Sequence, residues 1–111
     1  MTTPKPPRHL RQTTAKWFRS VLADFDLDEH HVRLLTLACE AWDRGVQARE
    51  IIEADGLTFI DRFGTKPRPE VAIERDSRIG FARLVRELGL DGASAPEAPR
   101  MPRTPDYGSR R

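Results

Sequence analysis

Apolar positions recur at helical spacing in three parts of this chain, with breaker-rich joints between them. Trp17, Phe18, Val21, Leu22 and Phe25 fall three or four apart and make one greasy face of a first helix. Thr13 or Thr14 can cap its start with a side-chain oxygen, and it is expected to end around Asp24–Asp26. Asp28 suits the N-cap of a second helix, with Glu29 in the first turn where the helix dipole favours an acid. That helix should run from about 29 to 54 and carry two apolar stripes. One stripe is Val32, Leu35, Cys39, Trp42 and Val46; the other is Leu34, Leu37/Ala38, Ala41, Gly45, Ala48 and Ile52. Two stripes exceed what one packing partner covers, so a neighbour outside the first helix is expected, either the third helix or another copy of the chain.

Asp55-Gly56 should stop the second helix. LTFID and TKPRP then flank Arg62-Phe63-Gly64, a β-hairpin with a glycine-containing turn, whose prolines confine it to a sheet edge. A two-stranded ribbon is marginal alone, so it must rest on a helix or on a neighbour. Pro69 fits the first position of a third helix, whose inner side reads Ile73, Ser77, Gly80/Phe81, Leu84/Val85 and Leu88. Gly89 followed by Leu90 predicts a left-handed cap with the leucine folded back on the last turn. Gly80, costly inside a helix, suggests a close helix–helix approach at that point.

The ends differ from this body. Residues 1–12 hold three of the nine prolines and no periodicity, and are expected to be a disordered basic arm. Residues 13–91 form the expected helical core and oligomerisation domain, and 92–111 a flexible Pro-rich tail. The net charge of +2 conceals a segregation. Residues 1–16 carry Lys5, Arg8, Arg11 and Lys16 without an acid, whereas 17–92 hold 11 basic and 15 acidic side chains. The tail carries Arg100, Arg103, Arg110 and Arg111 against Glu97 and Asp106. Basic tails on an acidic body either keep a small domain soluble or touch phosphate.

Composition excludes more than it specifies. The 111 residues allow one domain, near the size where a single core just suffices. A lone cysteine, Cys39, rules out an internal disulfide and fits a reducing compartment. No apolar run reaches the roughly 18 residues of a membrane span, and the first residues lack the apolar stretch of a signal peptide, so a cytoplasmic, membrane-free protein is expected. No phosphate loop, dinucleotide fingerprint, CxxC or HExxH occurs, so no catalytic residue, cofactor or metal site is expected. His30 and His31 are adjacent on a helix and should point about 100° apart, unlike a chelating i,i+4 pair. Cys39 sits on an apolar stripe and reads as core.

The order of elements resembles the small terminase subunit of tailed double-stranded DNA phages. The resemblance rests on the acidic opening of the second helix with its CEAWDR segment, the glycine-bounded hairpin and the closing RELGL, over residues 13–91. The sequence departs from that pattern at Arg68-Pro69, where His-Pro or Asn-Pro is common, and after Leu90, where Asp91-Gly-Ala-Ser replaces a Pro/Ser/Arg segment. The resemblance implies a mainly α fold: a helical hairpin with a long central helix, a small β-hairpin and a C-terminal helix, assembling into a ring oligomer. It implies a non-catalytic, cofactor-free subunit of the host cytoplasm that binds double-stranded phage DNA and presents it to the large ATPase/nuclease subunit. Lys5, Arg8, Arg11, Lys16 and Arg19 are the expected DNA contacts, and the acidic body should add little affinity. Val32, Leu35, Trp42, Val46 and Phe59 are the expected interface between copies, with the four tail arginines reserved for DNA or the large subunit. A free-standing helix-turn-helix regulator and a virion adaptor without DNA affinity stay open as alternatives.

Overall fold

The computed structural model describes residues 3–90. Its elements are α1 (Gln12–Asp24), α2 (Glu29–Asp55), β1 (Thr58–Asp61), β2 (Gly64–Pro67) and α3 (Pro69–Leu88). Each joint is made by the residues that predicted it. Gly56 ends α2 at φ 90°, Pro69 opens α3, and Gly89 closes it at φ 64° with its N–H on the carbonyls of Arg86 and Val85. Leu90 folds back onto the core as expected.

α2 and α3 form an antiparallel pair. Gly45 faces Ser77, Trp42 stacks near Phe81, and Arg49 reaches Glu74, so partner numbers fall along α3 as they rise along α2. The Arg49–Glu74 pair ties the two helices at their hairpin end, and the half-buried Glu74 also takes Arg78 of its own helix at 3.4 Å. The small residues of the second stripe let the helices close up: Ala38, Gly45 and Ala48 are all buried. These small residues of the stripe are therefore taken up in packing, while Leu37 stays exposed. The tight approach lies at Gly45, where an added Cβ would sit 3.4 Å from that of Ser77; at Gly80 it would meet nothing within 4 Å. Gly80 is not the close-approach residue, because α3 turns that position away from α2.

The core gathers at the other end of the pair. Leu10, Phe18 and Val21 close over Leu35, Cys39 and Leu88, joined by parts of Trp17, Leu22, Phe25 and Val32. Leu10 corrects the picture of a structureless arm over residues 1–12. It occupies the position just before the N-cap Arg11, from which an apolar side chain fixes the angle at which the chain joins the helix. Around it, His9 Nε2 lies 2.7 Å from Glu40 Oε2 and Arg11 Nη1 2.7 Å from Glu50 Oε1. The tail expected over 92–111 lies outside the described residues.

β1 and β2 pair antiparallel with Asp61 opposite Gly64, leaving Arg62-Phe63 as a two-residue turn. The Asp61 carboxylate accepts from the Phe63 N–H at 2.8 Å and receives Lys66 at 3.1 Å. At the base, the Arg68 N–H donates to Leu57 O and its Nε to Asp55 O, fastening the ribbon to the end of α2.

Candidate nucleic-acid interface and subunit contact surface

The root of the N-terminal segment is built on one acidic side chain. Asp43, on α2, reaches the start of α1, where its Oδ2 accepts from the Arg11 N–H at 2.8 Å and its Oδ1 from the Thr14 hydroxyl at 2.5 Å. A carboxylate at a helix N-terminus meets unpaired N–H groups and the positive end of the dipole. Neither threonine caps the helix from within, since α1 begins at Gln12 and both lie inside its first turn. The cap comes instead from another helix. No local spacing rule could have found it, although an acid amid the apolar stripes of α2 was a signal in plain view.

Of the five expected DNA contacts, Lys5, Arg8, Lys16 and Arg19 are exposed. Lys5 and Arg19 line the same hollow with Thr3, Pro4 and Pro6, so the extended segment lies alongside α1 and puts the two cations together. Arg11 is exposed but engaged by Glu50. Such a surface ion pair is worth only ~0–1 kcal/mol, so it holds Arg11 without locking it.

The expected interface residues divide. Leu35 is 0% exposed and belongs to the subunit's own core, which removes it as a contact for a neighbour. Its stripe faces α1 and α3, which close over it. Val32, Val46 and Phe59 are half-buried. Trp42 remains 49% exposed and borders a cleft of about 380 Å³ with Thr13, Thr14, Trp17 and Phe81. The Phe81 ring centroid stands 4.9 Å from that of Trp42 and 5.8 Å from that of Trp17, at tilted angles that suit aromatic pairs. Leu37 is also exposed. The larger unmet apolar surface lies on the hairpin, on residues other than the expected Phe59: Leu57, Ile60 at 80% and Phe63 at 74% exposure. Alternation along β1 places Phe59 on one face and Ile60 on the other, so both faces of this strand are apolar.

Burial and the nearby carboxylates of Asp43 and Glu40 push the Cys39 thiol up to about 12. It stays protonated and buried, in keeping with a core role. The adjacent histidines do not diverge as expected. Their ring centroids lie 4.0 Å apart, and ligand atoms of Asp28, His30 and His31 all fall within 4.8 Å of one another. The 100° step governs Cβ directions, whereas rotation about the side-chain bonds lets exposed imidazoles converge. This group sits at the positive end of α2, which disfavours a cation, and exposed clusters of this kind are common without one. Among the described residues, no helix is long and apolar enough to cross a membrane.

Among the described residues, then, three helices carry a projecting ribbon, exposed cations on α1 and the segment before it, and exposed apolar side chains on α2 and the hairpin. A model of the family described as phage terminase, small subunit, matches residues 14–99, more than three quarters of the chain. The chain belongs to that family, whose members serve viral genome packaging and are generally the non-catalytic subunit. No curated protein and no solved structure matches it significantly.

Proposed function

We propose that this chain is the terminase subunit that binds double-stranded phage DNA and presents it to the large ATPase/nuclease subunit in the host cytoplasm. The observation that carries the DNA reading is the run of exposed cations Lys5, Arg8, Lys16 and Arg19 at the root and first helix, set against a net acidic body. Lysine and arginine that neutralise phosphates release condensed counterions, so affinity falls steeply with salt. Arg11 joins them when it leaves Glu50. The tail arginines Arg100, Arg103, Arg110 and Arg111 are a second contact, for DNA or for the large subunit.

Several copies act together in this reading, as a closed ring. Trp42, with the aromatic cleft it borders, is the surface that a sister subunit covers; Val46, Val32 and Phe59 add partly buried flanks. Aromatic anchors in a cleft are what tight interfaces use most. The test is a titration of labelled duplex DNA over a salt series, followed by fluorescence anisotropy. Neutralising Lys5, Arg8, Lys16 and Arg19 together should remove most non-specific affinity and flatten the plot of log affinity against log salt by about 0.9 per lost phosphate contact. An unchanged slope in the variant contradicts the assignment.

A further inference from the structure

We propose that the tip of the β-hairpin is a duplex-DNA wedge, in which Phe63 inserts between base steps while Arg62 and Lys66 lie against the flanking phosphates. This rests on the DNA-binding reading above and adds a second site to it. The ribbon is an exception to the acidic body: residues 57–68 carry Arg62, Lys66 and Arg68 against one acid, Asp61. That acid is drawn inward, half-buried, holding Lys66 at 3.1 Å and the Phe63 N–H at 2.8 Å, so the turn itself presents cations and an aromatic ring. Arg62 Cζ lies 4.9 Å and Lys66 Nζ 5.3 Å from the Phe63 ring centroid. Ile60 stands exposed behind the tip.

Charge decides which partner fits. An apolar cleft on a sister subunit that received Phe63 would draw Arg62 into a dry site without a carboxylate partner, together with the Lys66–Asp61 pair, and unpaired buried charge is costly. A duplex offers both halves of the match: a gap between stacked bases for the ring and phosphates for the cations. A two-stranded ribbon is also narrow enough to enter a DNA groove. Apolar side chains inserted between base steps unstack them and kink the duplex by ~20–90°. The hairpin should therefore bend DNA, whereas the N-terminal cations hold it.

The experiment uses the full chain and a short duplex carrying a fluorescent donor and acceptor at its two ends. Saturating protein should raise energy transfer. Phe63→Ala should abolish that rise and weaken binding about tenfold, Phe63→Trp should restore both, and Arg62→Ala should lower the salt slope by about 0.9. Phe63 is a surface residue, so these variants keep the fold. Light scattering on each variant supplies the second readout. The proposal is overturned if Phe63→Ala bends DNA as the parent does, or if it loses self-association, which makes the tip a contact between copies. A parent that binds DNA without bending it also overturns the wedge but leaves the DNA-binding reading standing. A parent that binds no duplex overturns both.

Discussion

Asp43→Ala should cost this small domain a large share of its stability, through the way it joins α2 to the start of α1. The carboxylate makes two bonds there, one to a backbone N–H and one to the hydroxyl of Thr14, which is 4% exposed. Losing an N-terminal cap costs ~0.5–2 kcal/mol. Stranding a buried hydroxyl adds ~1–3 kcal/mol, because water cannot replace the missing acceptor. The two losses overlap, so about 2–4 kcal/mol is expected against a total stability of ~5–15 kcal/mol. Urea unfolding followed by circular dichroism reads this as a shift in midpoint with an unchanged slope. Thr14→Val supplies the other arm of a double-mutant cycle. With the hydroxyl gone, removing Asp43 should cost ~0.5–3 kcal/mol less than it does in the parent. An Asp43→Ala penalty below about 0.5 kcal/mol, or strict additivity with Thr14→Val, refutes the cap across helices. The same contact anchors the segment bearing Lys5 and Arg8, so the variant should also weaken DNA binding.

Other outcomes follow from the packing. Gly80→Ala should stabilise the chain by ~0.5–1 kcal/mol, since the new methyl meets nothing in the subunit and helix propensity improves; Gly45→Val should cost ~1–3 kcal/mol by forcing α2 from Ser77, both read by urea midpoints. Cys39 predicts a pH effect. Its folded pKa near 12 lies above its ordinary 9.0, so the folded state holds the proton longer and stability is untouched below pH 9. Above pH 9 it should fall by ~1.4 kcal/mol per pH unit up to about pH 12, a slope missing in Cys39→Ala measured alongside. The same shift leaves about a thousandth of the ordinary thiolate fraction below pH 9, so alkylation of the native thiol should be negligible and should turn rapid only on unfolding.

What the sequence revealed here was punctuation. Gly56, Pro69 and Gly89 act through their own backbone preferences, which need no partner, and all three element boundaries they mark stand where expected. What it concealed was pairing. Whether Gly45 or Gly80 faces a neighbour depends on the antiparallel offset of α2 and α3, and that offset is set by the hairpin between them. Leu35 looked like spare surface because a stripe does not say which helix lies on it, and α1 and α3 together claimed it. Asp43 and Leu10 were obscured for a similar reason: the partners of Asp43 lie 29 and 32 residues away, and Leu10 packs in one cluster with Leu35, Cys39 and Leu88 of α2 and α3, beyond any local spacing rule. The basic end was legible as charge, but the seating of residues 9–11 on α2 was not. Ile60 and Phe63 mark a strand and a turn in the sequence and no more, since a short strand with two apolar neighbours hides which face is left open.

The proposed function requires several subunits to meet one duplex. Light scattering on the purified chain, coupled to size exclusion, gives the mass directly. A ring of subunits joined through the Trp42 surface predicts a single species at a whole-number multiple of 12.7 kDa, well above a dimer, that collapses in Trp42→Glu. A species of 12.7 kDa at every concentration tested, with Trp42 already exposed to solvent there, contradicts it.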